Sequence, residues 1–421
     1  MPNVTLPRTI VTVTGDVTHT GDTAFTDVTG AEIPSSAFTT GNKYLIVITA
    51  QQAIDDGTDE YYSGQVIHGS TAFADSLMTN EQNDSTGSKY WPFVWFDYWT
   101  AVASEGIKLQ HQLLKSTNTV TTRQVVMIAF DLTAAGLVLN TDYFADSDAT
   151  ATDLNTTWGK ASDAAVSVSP TENLDALVFT LSQANVVDPS DRTEATRINV
   201  SGDLTDTDET WQALEKNPVC EALRVNIGIY SLTSGGSYTF TQETRQTAGN
   251  PGDHIRNASK IFVLLLNKLP HTFARTVAEQ TALTTLTTLE SFSHSASSGD
   301  VWVLGKFSCD DPPNVEHRLR VGGTDTPTGQ STIKDWLWGA TSTDETLVIN
   351  QDIVNGLGGS ITVSLHGAYD DSTAKMEDTL LFAIDLDAAG AAGGGAAGSN
   401  RNHLLTHGIR RRSGGFMASR L

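Results

Sequence analysis

The side chains in this sequence that are best suited to binding are aromatic, and they are densest in residues 90–99, which read Tyr-Trp-Pro-Phe-Val-Trp-Phe-Asp-Tyr-Trp. Flat aromatic faces stack on sugars, and exposed aromatic side chains also anchor protein interfaces. Along a strand, alternate side chains point to opposite faces, so one set can enter a core while the other needs cover from a neighbour. Trp91, Trp95 and Trp99 are therefore candidates for an interface or for glycan stacking. We favour interface or core packing, because the second predicted unit has no matching aromatic block.

A second candidate is the basic end of the sequence. Residues 388–400 consist almost entirely of Gly and Ala, a composition typical of a flexible tether that has no side chains with which to build a core. Residues 401–421 then mix basic and apolar side chains. We predict that this segment docks onto a protein partner through the following residues: Arg401, Arg410, Arg411, Arg412 and Phe416.

Charge indicates what kind of partner the chain can have. The formal net charge is -23, from 26 Lys and Arg against 49 Asp and Glu. Five of the basic residues and no acidic ones lie in 388–421, so the preceding body carries -28. Such a body repels phosphate backbones, which makes nucleic acid an unfavourable partner. The arginine-rich end is the exception, and an acidic protein surface is its simplest partner.

Acidic loops follow the first strand of each predicted unit, and Ca²⁺ is the cation that such oxygen-rich loops could hold. The residues concerned are Asp55, Asp56, Asp59 and Glu60, then Asp188, Asp191 and Glu194, and finally Asp310, Asp311 and Glu316. Residues 203–209 lack the central Gly and the distant Glu of an EF-hand loop. We therefore favour solvated loops over calcium sites and predict no cofactor.

Catalytic motifs are missing from the sequence. We find no nucleophile elbow, no phosphate-binding loop and no pair of carboxylates that can be assigned to one cleft. His403 and His407 are four residues apart but lack the Glu of a zinc-protease helix. The sequence predicts that the protein is not an enzyme. It also shows no secretory signal and no stretch of membrane-spanning length, so a membrane is not an expected partner.

The elements that would position these residues recur along the chain. Residues 125–132, 261–269 and 380–386 are three short apolar runs, and the first and third continue as Asp-Leu-Thr-Ala-Ala-Gly and Asp-Leu-Asp-Ala-Ala-Gly. Runs this short, bounded by polar loops, are typical of strands buried on both faces. Their recurrence indicates a tandem array. Short polar connections between the copies predict a row of units with limited freedom.

Each copy contains several short strands separated by turn residues. We therefore predict an all-β protein with three tandem antiparallel β-sandwich units, jelly-roll-like, with extended terminal segments. The predicted organisation is a 1–21 N-terminal arm, β-sandwich units at 22–140, 150–270 and 281–387, and the 388–421 tether with its docking peptide.

Three stretches give the sequence a resemblance to virion structural proteins of tailed bacteriophages, of the decoration or fibre type. They are 43–51 (Lys-Tyr-Leu-Ile-Val-Ile-Thr-Ala-Gln), 68–76 (His-Gly-Ser-Thr-Ala-Phe-Ala-Asp-Ser) and 130–132 (Phe-Asp-Leu). The resemblance implies synthesis in the host cytoplasm and a final location in the virion. It also implies other virion proteins as partners and a homo-oligomer or multi-copy assembly.

Together these observations predict a non-enzymatic virion structural protein on the capsid or tail surface, attached through its terminal segments. The alternative is a carbohydrate-binding adhesin or receptor-binding fibre, with a host surface glycan as its ligand and the aromatic block as its binding surface.

Overall fold

The chain folds almost entirely into antiparallel strands, as a computed structural model of the protein shows. The structure describes residues 3–387 with the exception of 22, 55–59, 83–89, 115–117, 160–162, 187–191, 205, 215–220, 247–253, 282, 284, 311–314, 334–344 and 370–374. Two short 3₁₀ turns, Ser35–Ala37 and Leu266–Lys268, interrupt the strands. The predicted all-β class is confirmed.

Residues 8–131 form the first jelly roll. Its strands are β1 (Arg8–Val13), β2 (Val17–Thr20), β3 (Thr26–Ile33), β4 (Lys43–Ile54), β5 (Glu60–His68), β6 (Thr71–Ala72), β7 (Met78–Gln82), β8 (Trp91–Thr100), β9 (Ile107–Leu113) and β10 (Thr119–Asp131). One sheet has the order β1-β10-β4-β8, and the other has the order β3-β9-β5-β6 with β7 also paired to β5. Pairing of the earliest strand with the latest is the connection that defines a jelly roll.

Residues 143–265 repeat this topology as the second jelly roll. Its strands are β11 (Tyr143–Asp148), β12 (Thr152–Asp153), β13 (Ala165–Val168), β14 (Leu174–Val186), β15 (Arg192–Gly202), β16 (Asp206–Leu214), β17 (Glu221–Leu232), β18 (Tyr238–Gln246) and β19 (His254–Leu265). The two sheets have the orders β11-β19-β14-β17 and β13-β18-β15-β16.

Residues 271–385 form the third jelly roll from fewer, longer strands. They are β20 (His271–Thr276), β21 (Gln280–Thr281), β22 (Thr287–Asp310), β23 (Val315–Val321), β24 (Thr324–Ile333), β25 (Glu345–Tyr369) and β26 (Lys375–Asp385). They make one sheet in the order β20-β26-β22-β25-β23-β24. The long strands β22 and β25 bend where their pairing shifts register, and Gly356 and Gly359 supply the positive φ that the bend in β25 requires.

In each jelly roll, the sheet that contains the first and last strands is called the inner sheet here. In the third it is the part of the continuous sheet formed by β20, β26, and the halves of β22 and β25 that pair near residues 301–310. The inner sheets are apolar on both faces. In β10, Ile128 and Ala129 are neighbours that point to opposite faces, and both are at most 2% exposed. The predicted burial of these strands on both faces is confirmed.

One face of each inner sheet packs against its own outer sheet, and the other packs against the other two jelly rolls. This second packing is called the shared core, and Trp302 is at its centre. The Trp302 ring is 4.7 Å from that of Phe130 in the first jelly roll and 6.3 Å from that of Phe179 in the second, measured between centroids. Phe96 of the first jelly roll in turn lies 5.4 Å from Phe179. The sequence predicted a row of units, whereas the three jelly rolls pack around one core.

The N-terminal arm also connects the jelly rolls. Its strands β1 and β2 pair with β10, so residues 8–20 form an edge of the first inner sheet. Before β1, the amide of Val4 donates to the carbonyl of Lys268 and the amide of Leu6 donates to that of Leu386. Arg8 forms ion pairs with Asp300 and Asp387 of the third jelly roll. The arm therefore fastens the ends of the second and third jelly rolls to the first.

The described residues pack as one compact unit. The predicted boundaries between the β-sandwich units remain predictions.

Because Trp302 contacts aromatic side chains from two other sheets, Trp302→Ala is expected to destabilise the whole body. The expected loss in the free energy of unfolding is about 3–5 kcal/mol. Hydrogen exchange measured by mass spectrometry should then rise in β4, β14 and β26 alike. Phe307→Ala is the matched control, since Phe307 is buried in the separate core of the third jelly roll. Faster exchange confined to the third jelly roll in both variants would contradict the shared core.

Candidate functional site

The aromatic block forms β8, at the edge of the first inner sheet. Trp95 is 0% exposed, and Trp91 and Trp99 are each 7% exposed. The Trp95 ring packs on Phe73 of the same jelly roll, with centroids 4.8 Å apart. On the opposite face of the strand, Phe96 and Tyr98 contact Phe179 and Phe262 of the second jelly roll. Both faces of the aromatic block are therefore buried by packing.

Because Trp95 is fully buried, Trp95→Ala should destabilise the protein by about 3–5 kcal/mol through the cavity it leaves. Denaturant unfolding followed by tryptophan fluorescence measures this loss. Val102→Ala is a suitable control, since Val102 is 48% exposed and its truncation should cost little. A Trp95→Ala variant as stable as the unmodified protein would contradict this placement of the ring.

The other predicted site residues lie outside the described part of the chain. These are the docking residues Arg401, Arg410, Arg411, Arg412 and Phe416, together with the side chains of the acidic loops proposed for Ca²⁺. Among the described residues, no group of three or more His, Cys, Asp or Glu side chains could hold a metal ion. The described part of the chain also contains no helix long and apolar enough to span a membrane.

One hydrogen-bonded chain of side chains has the residue types of a hydrolase triad. His294 is 3.0 Å from the hydroxyl of Thr272 through Nδ1 and 3.2 Å from the carboxylate of Asp385 through Nε2. Both His294 and Asp385 are 2% exposed, and the second oxygen of Asp385 accepts the amide of Ser297. The cluster lies beside the bend of β22, and its histidine and carboxylate are buried.

The polar groups that distinguish this structure lie where the jelly rolls meet. At the interface of the first and second, Lys260 of β19 lies between two carboxylates of the first jelly roll. Its Nζ is 2.5 Å from Asp75 and 2.6 Å from Asp97. Burial, partly offset by Lys260, raises the pKa of Asp97 to about 6. Burial alone would lower the pKa of Lys260, but the two carboxylates outweigh it and raise that pKa.

At the interface of the second and third jelly rolls, the buried ammonium of Lys306 has acceptors on both sides. It donates to the side-chain oxygen of Asn226 at 2.8 Å and to the carbonyl of Ile227 at 3.1 Å, both in the second jelly roll. Within its own jelly roll it donates to Asp378 at 2.6 Å. Although burial raises the pKa of Asp378, Lys306 and Arg275 outweigh it and hold that pKa below its usual value.

At the interface of the third and first jelly rolls, the side-chain amide of Gln351 in β25 forms the polar contact. Its Nε2 donates to the carbonyls of Val47 and Val126, at 3.3 and 3.5 Å. Its Oε1 accepts the indole N–H of Trp302 at 3.2 Å, which fixes the orientation of the amide. Each of the three interfaces is thus crossed by a hydrogen bond or ion pair from one of these polar side chains.

Sequence reasoning missed these three residues, although two of them carried a signal. Lys306 interrupts the apolar strand 301–309, and Lys260 directly precedes the apolar run 261–266. A lysine within a strand buried on both faces needs a buried partner, so its position could have indicated an interface. Gln351 carried no such signal, because its strand is of mixed polarity.

The raised pKa of Asp97 predicts how stability depends on pH. The folded state holds this proton up to about pH 6, whereas the ordinary Asp value is 3.8. The protonated Asp97 carboxyl group therefore stabilises the folded state fully at low pH, and this stabilisation is lost as pH rises through 6. The amide of the Asp97→Asn variant does not titrate. Between pH 5 and pH 8 the free energy of unfolding of this variant should therefore rise by about 1–2 kcal/mol relative to that of the unmodified protein.

Asp27→Asn is the control for that measurement. Burial would raise the pKa of Asp27, but hydrogen bonds from Lys108 and Gln110 hold it below 3.8. Its carboxylate stays ionised at both pH values, so the difference from the unmodified protein should not change. Urea unfolding at the two pH values measures both variants. A difference for Asp97→Asn that stays constant would contradict the burial of this carboxyl group.

No protein-family model matches the sequence, and a search of the curated proteins gives no match. Among solved structures, the chain is similar to a structure of Sulfolobus turreted icosahedral virus, with 13% identity and a TM-score of 0.19 over 82% of this chain and 80% of that one. A structure described by the triple jelly roll fold and turret assembly of an archaeal virus matches with 11% identity and a TM-score of 0.18, over 91% and 89%.

A non-viral structure is also similar to the chain, namely the tandem CBM22-1-CBM22-2 domain of Paenibacillus barcinonensis Xyn10C. It has 8% identity and a TM-score of 0.20 over 62% of this chain and 93% of that one. TM-scores and identities this low establish no shared function.

Proposed function

We propose that this protein is a non-enzymatic structural component of a virus particle, of the decoration or fibre type, exposed on a capsid or tail surface. The observation that carries the proposal is the shared core. The inner sheets of all three jelly rolls are covered by one another, and the buried polar groups described above hold those sheets in place. In this arrangement the inner sheets of the three jelly rolls support one another as one rigid body.

Attachment is proposed for the C-terminal segment alone, because the N-terminal arm, which was also expected to attach the protein, pairs with its own first inner sheet. The body carries a large negative charge, and the basic side chains of 401–421 follow a Gly- and Ala-rich stretch. A tether of this composition lets the basic segment reach a partner without constraining the body. Arginine recognises carboxylates through paired hydrogen bonds, so the proposed partner surface is an acidic patch of another virion protein.

Deletion of 399–421 tests this assignment. The truncated protein should keep its circular dichroism spectrum and thermal midpoint, because the shared core is built from residues that the truncation retains. It should nevertheless be lost from purified particles, as measured by quantitative mass spectrometry of the virion proteins. Replacement of Arg410, Arg411 and Arg412 by Gln should weaken incorporation strongly in the full-length chain.

The matched control keeps the arginines and replaces His403 and His407 by Ala in the same segment. This variant should be incorporated normally. If the truncated protein were incorporated as well as the full chain, the docking role of the segment would be wrong. Absence of the unmodified protein from purified particles would contradict the virion role itself.

The glycan-binding alternative requires accessible aromatic faces. Trp91, Trp95 and Trp99 are buried, so no observation on the described residues favours glycan stacking through this block. A glycan array probed with the unmodified protein remains the direct test of that alternative.

A further inference from the structure

The buried contact between the second and third jelly rolls brings an amine, a primary amide and a carboxylate together. The side-chain nitrogen of Lys306 is 2.8 Å from Oδ1 of Asn226 and 2.6 Å from Oδ2 of Asp378. All three side chains are buried. A neutral amine is a nucleophile, an amide carbonyl is an electrophile and a carboxylate is a base. The three groups are therefore suited to one reaction, the formation of an amide bond between two side chains.

The carbonyl carbon of Asn226 lies within reach of the Lys306 nitrogen. A C=O bond is about 1.2 Å long, so Nζ of Lys306 is at most about 4 Å from Cγ of Asn226. Reacting atoms that are ready to combine are about 3–3.5 Å apart. A displacement of about 1 Å or less therefore brings the nitrogen onto the carbonyl carbon.

The carbonyl of Asn226 is also polarised by a second donor. The backbone amide of Ile227 donates to its Oδ1 at 2.8 Å, in addition to Lys306. When an amine attacks the carbonyl carbon, negative charge develops on this oxygen, and a fixed donor directed at it stabilises that charge. Such an interaction is stronger in a buried site than in water. The Ile227 amide therefore has the position of an oxyanion-hole donor.

Asp378 has a backbone conformation that is unusual for its residue type. Its φ is 46°, in the left-handed region that is costly for residues other than Gly. It lies next to the point where the pairing of β22 with β26 shifts register after Lys306. Irregularities of this kind redirect a side chain, and strained residues are found where the placement of a side chain matters. Here the irregularity places the carboxylate against the lysine.

Lys306 and Asp378 share a proton, and its position decides whether the amine can react. An ammonium nitrogen has no lone pair, so its proton must first pass to the carboxylate of Asp378. Burial favours the resulting neutral pair, because neither group is then charged. Arg275, 3.4 Å from the other oxygen of Asp378, favours the carboxylate instead. The neutral pair is therefore the minor form, and the reaction should follow folding slowly.

We propose that Lys306 and Asn226 join covalently through a side-chain amide bond whose formation Asp378 promotes. Asp378 takes a proton from the ammonium, and the neutral amine attacks Cγ of Asn226 and forms the new C–N bond. Asp378 then gives its proton to Nδ2 and takes a second proton from the nitrogen of the new bond. The Cγ–Nδ2 bond breaks with its electron pair on the departing ammonia. Asp378 is left as a carboxylic acid and loses its proton to solvent.

The product joins β17 of the second jelly roll to β22 of the third. It also closes residues 226–306 into a covalent loop, which restricts the unfolded chain and thereby favours the folded state. Because the released ammonia leaves the site, the bond persists once it has formed. The third jelly roll then stays attached to the second even when the packing of the shared core is disrupted.

Peptide mapping of the full chain tests the proposal. The purified protein is held folded for increasing times, then unfolded, digested with trypsin and analysed by mass spectrometry. The peptides that contain Asn226 and Lys306 should be joined, with a combined mass lower by one ammonia, and the joined fraction should rise with time. Cyclisation of an asparagine also releases ammonia, but it joins no peptides. Protein held in urea should not form the joined peptides, because its side chains are not brought together.

Three variants identify the groups that react. Asp378→Asn keeps the size of the side chain but cannot accept the proton, so the rate of joining should fall at least about 100-fold. Lys306→Arg keeps the positive charge and should give no joined peptides. Asp97→Asn is the matched control, because it makes the same change beside Lys260 at a different interface. It should join at the rate of the unmodified protein.

Circular dichroism establishes that each variant is folded before its rate is compared. The proposal is overturned if the folded, unmodified protein yields no joined peptides. It is equally overturned if folded Asp378→Asn joins as fast as the unmodified protein, or if joining in urea is as fast as in the folded state. The comparison with urea uses the unmodified protein alone, so it decides the matter even where a variant fails to fold. None of these results depends on whether the protein resides in a virus particle.

Discussion

A β-sheet that is apolar on both faces must be covered twice, and this constraint determines the architecture of the protein. An isolated sandwich covers one face of each sheet and leaves the other to water. Here Leu45, Leu177 and Trp302 occupy equivalent positions on three inner sheets, and all of them point away from their own sandwich. Packing the three sheets against each other removes all of these side chains from water within one chain. At roughly 1.5–3 kcal/mol for each large side chain, this is a dominant contribution to folding.

The same arrangement explains why the polar groups between the jelly rolls are buried. Lys306 and Gln351 are buried and Lys260 is partly buried, and each has acceptors on a neighbouring jelly roll. Buried ion pairs contribute little net stability, because desolvation offsets their attraction. Their value lies in specifying which surfaces meet. The N-terminal arm acts alongside them, since Arg8 bridges from the first jelly roll to Asp300 and Asp387 of the third.

Much of the fold could be predicted from the sequence, because strand burial is a local property. The runs 125–132, 261–269 and 380–386 predicted strands buried on both faces, and their recurrence predicted three jelly-roll-like sandwiches. What covers the second face could not be predicted in this way. A period of two residues identifies the buried faces but not the partner of each face, and the short polar connections suggested a row. The partner is decided by contacts between residues far apart in sequence, such as Phe130 and Trp302.

The candidate site was less predictable. The aromatic block 90–99 combined features of an interface and of a core, and both of its faces are buried. Lys306 was visible as a charge in an apolar strand, whereas Gln351 gave no sign of its role. The basic residues of 401–421 were chosen on composition and charge, and their role rests on the proposed function.

The central claim is that three jelly rolls fold as one body around a shared core. Differential scanning calorimetry of the full chain tests it most directly. The method compares the calorimetric enthalpy of unfolding with the van't Hoff enthalpy, which is derived from the sharpness of the transition. The account predicts a single transition in which the calorimetric and van't Hoff enthalpies agree. Two or three separable transitions, each with the enthalpy of about 110–130 residues, would show independent sandwiches and would contradict it.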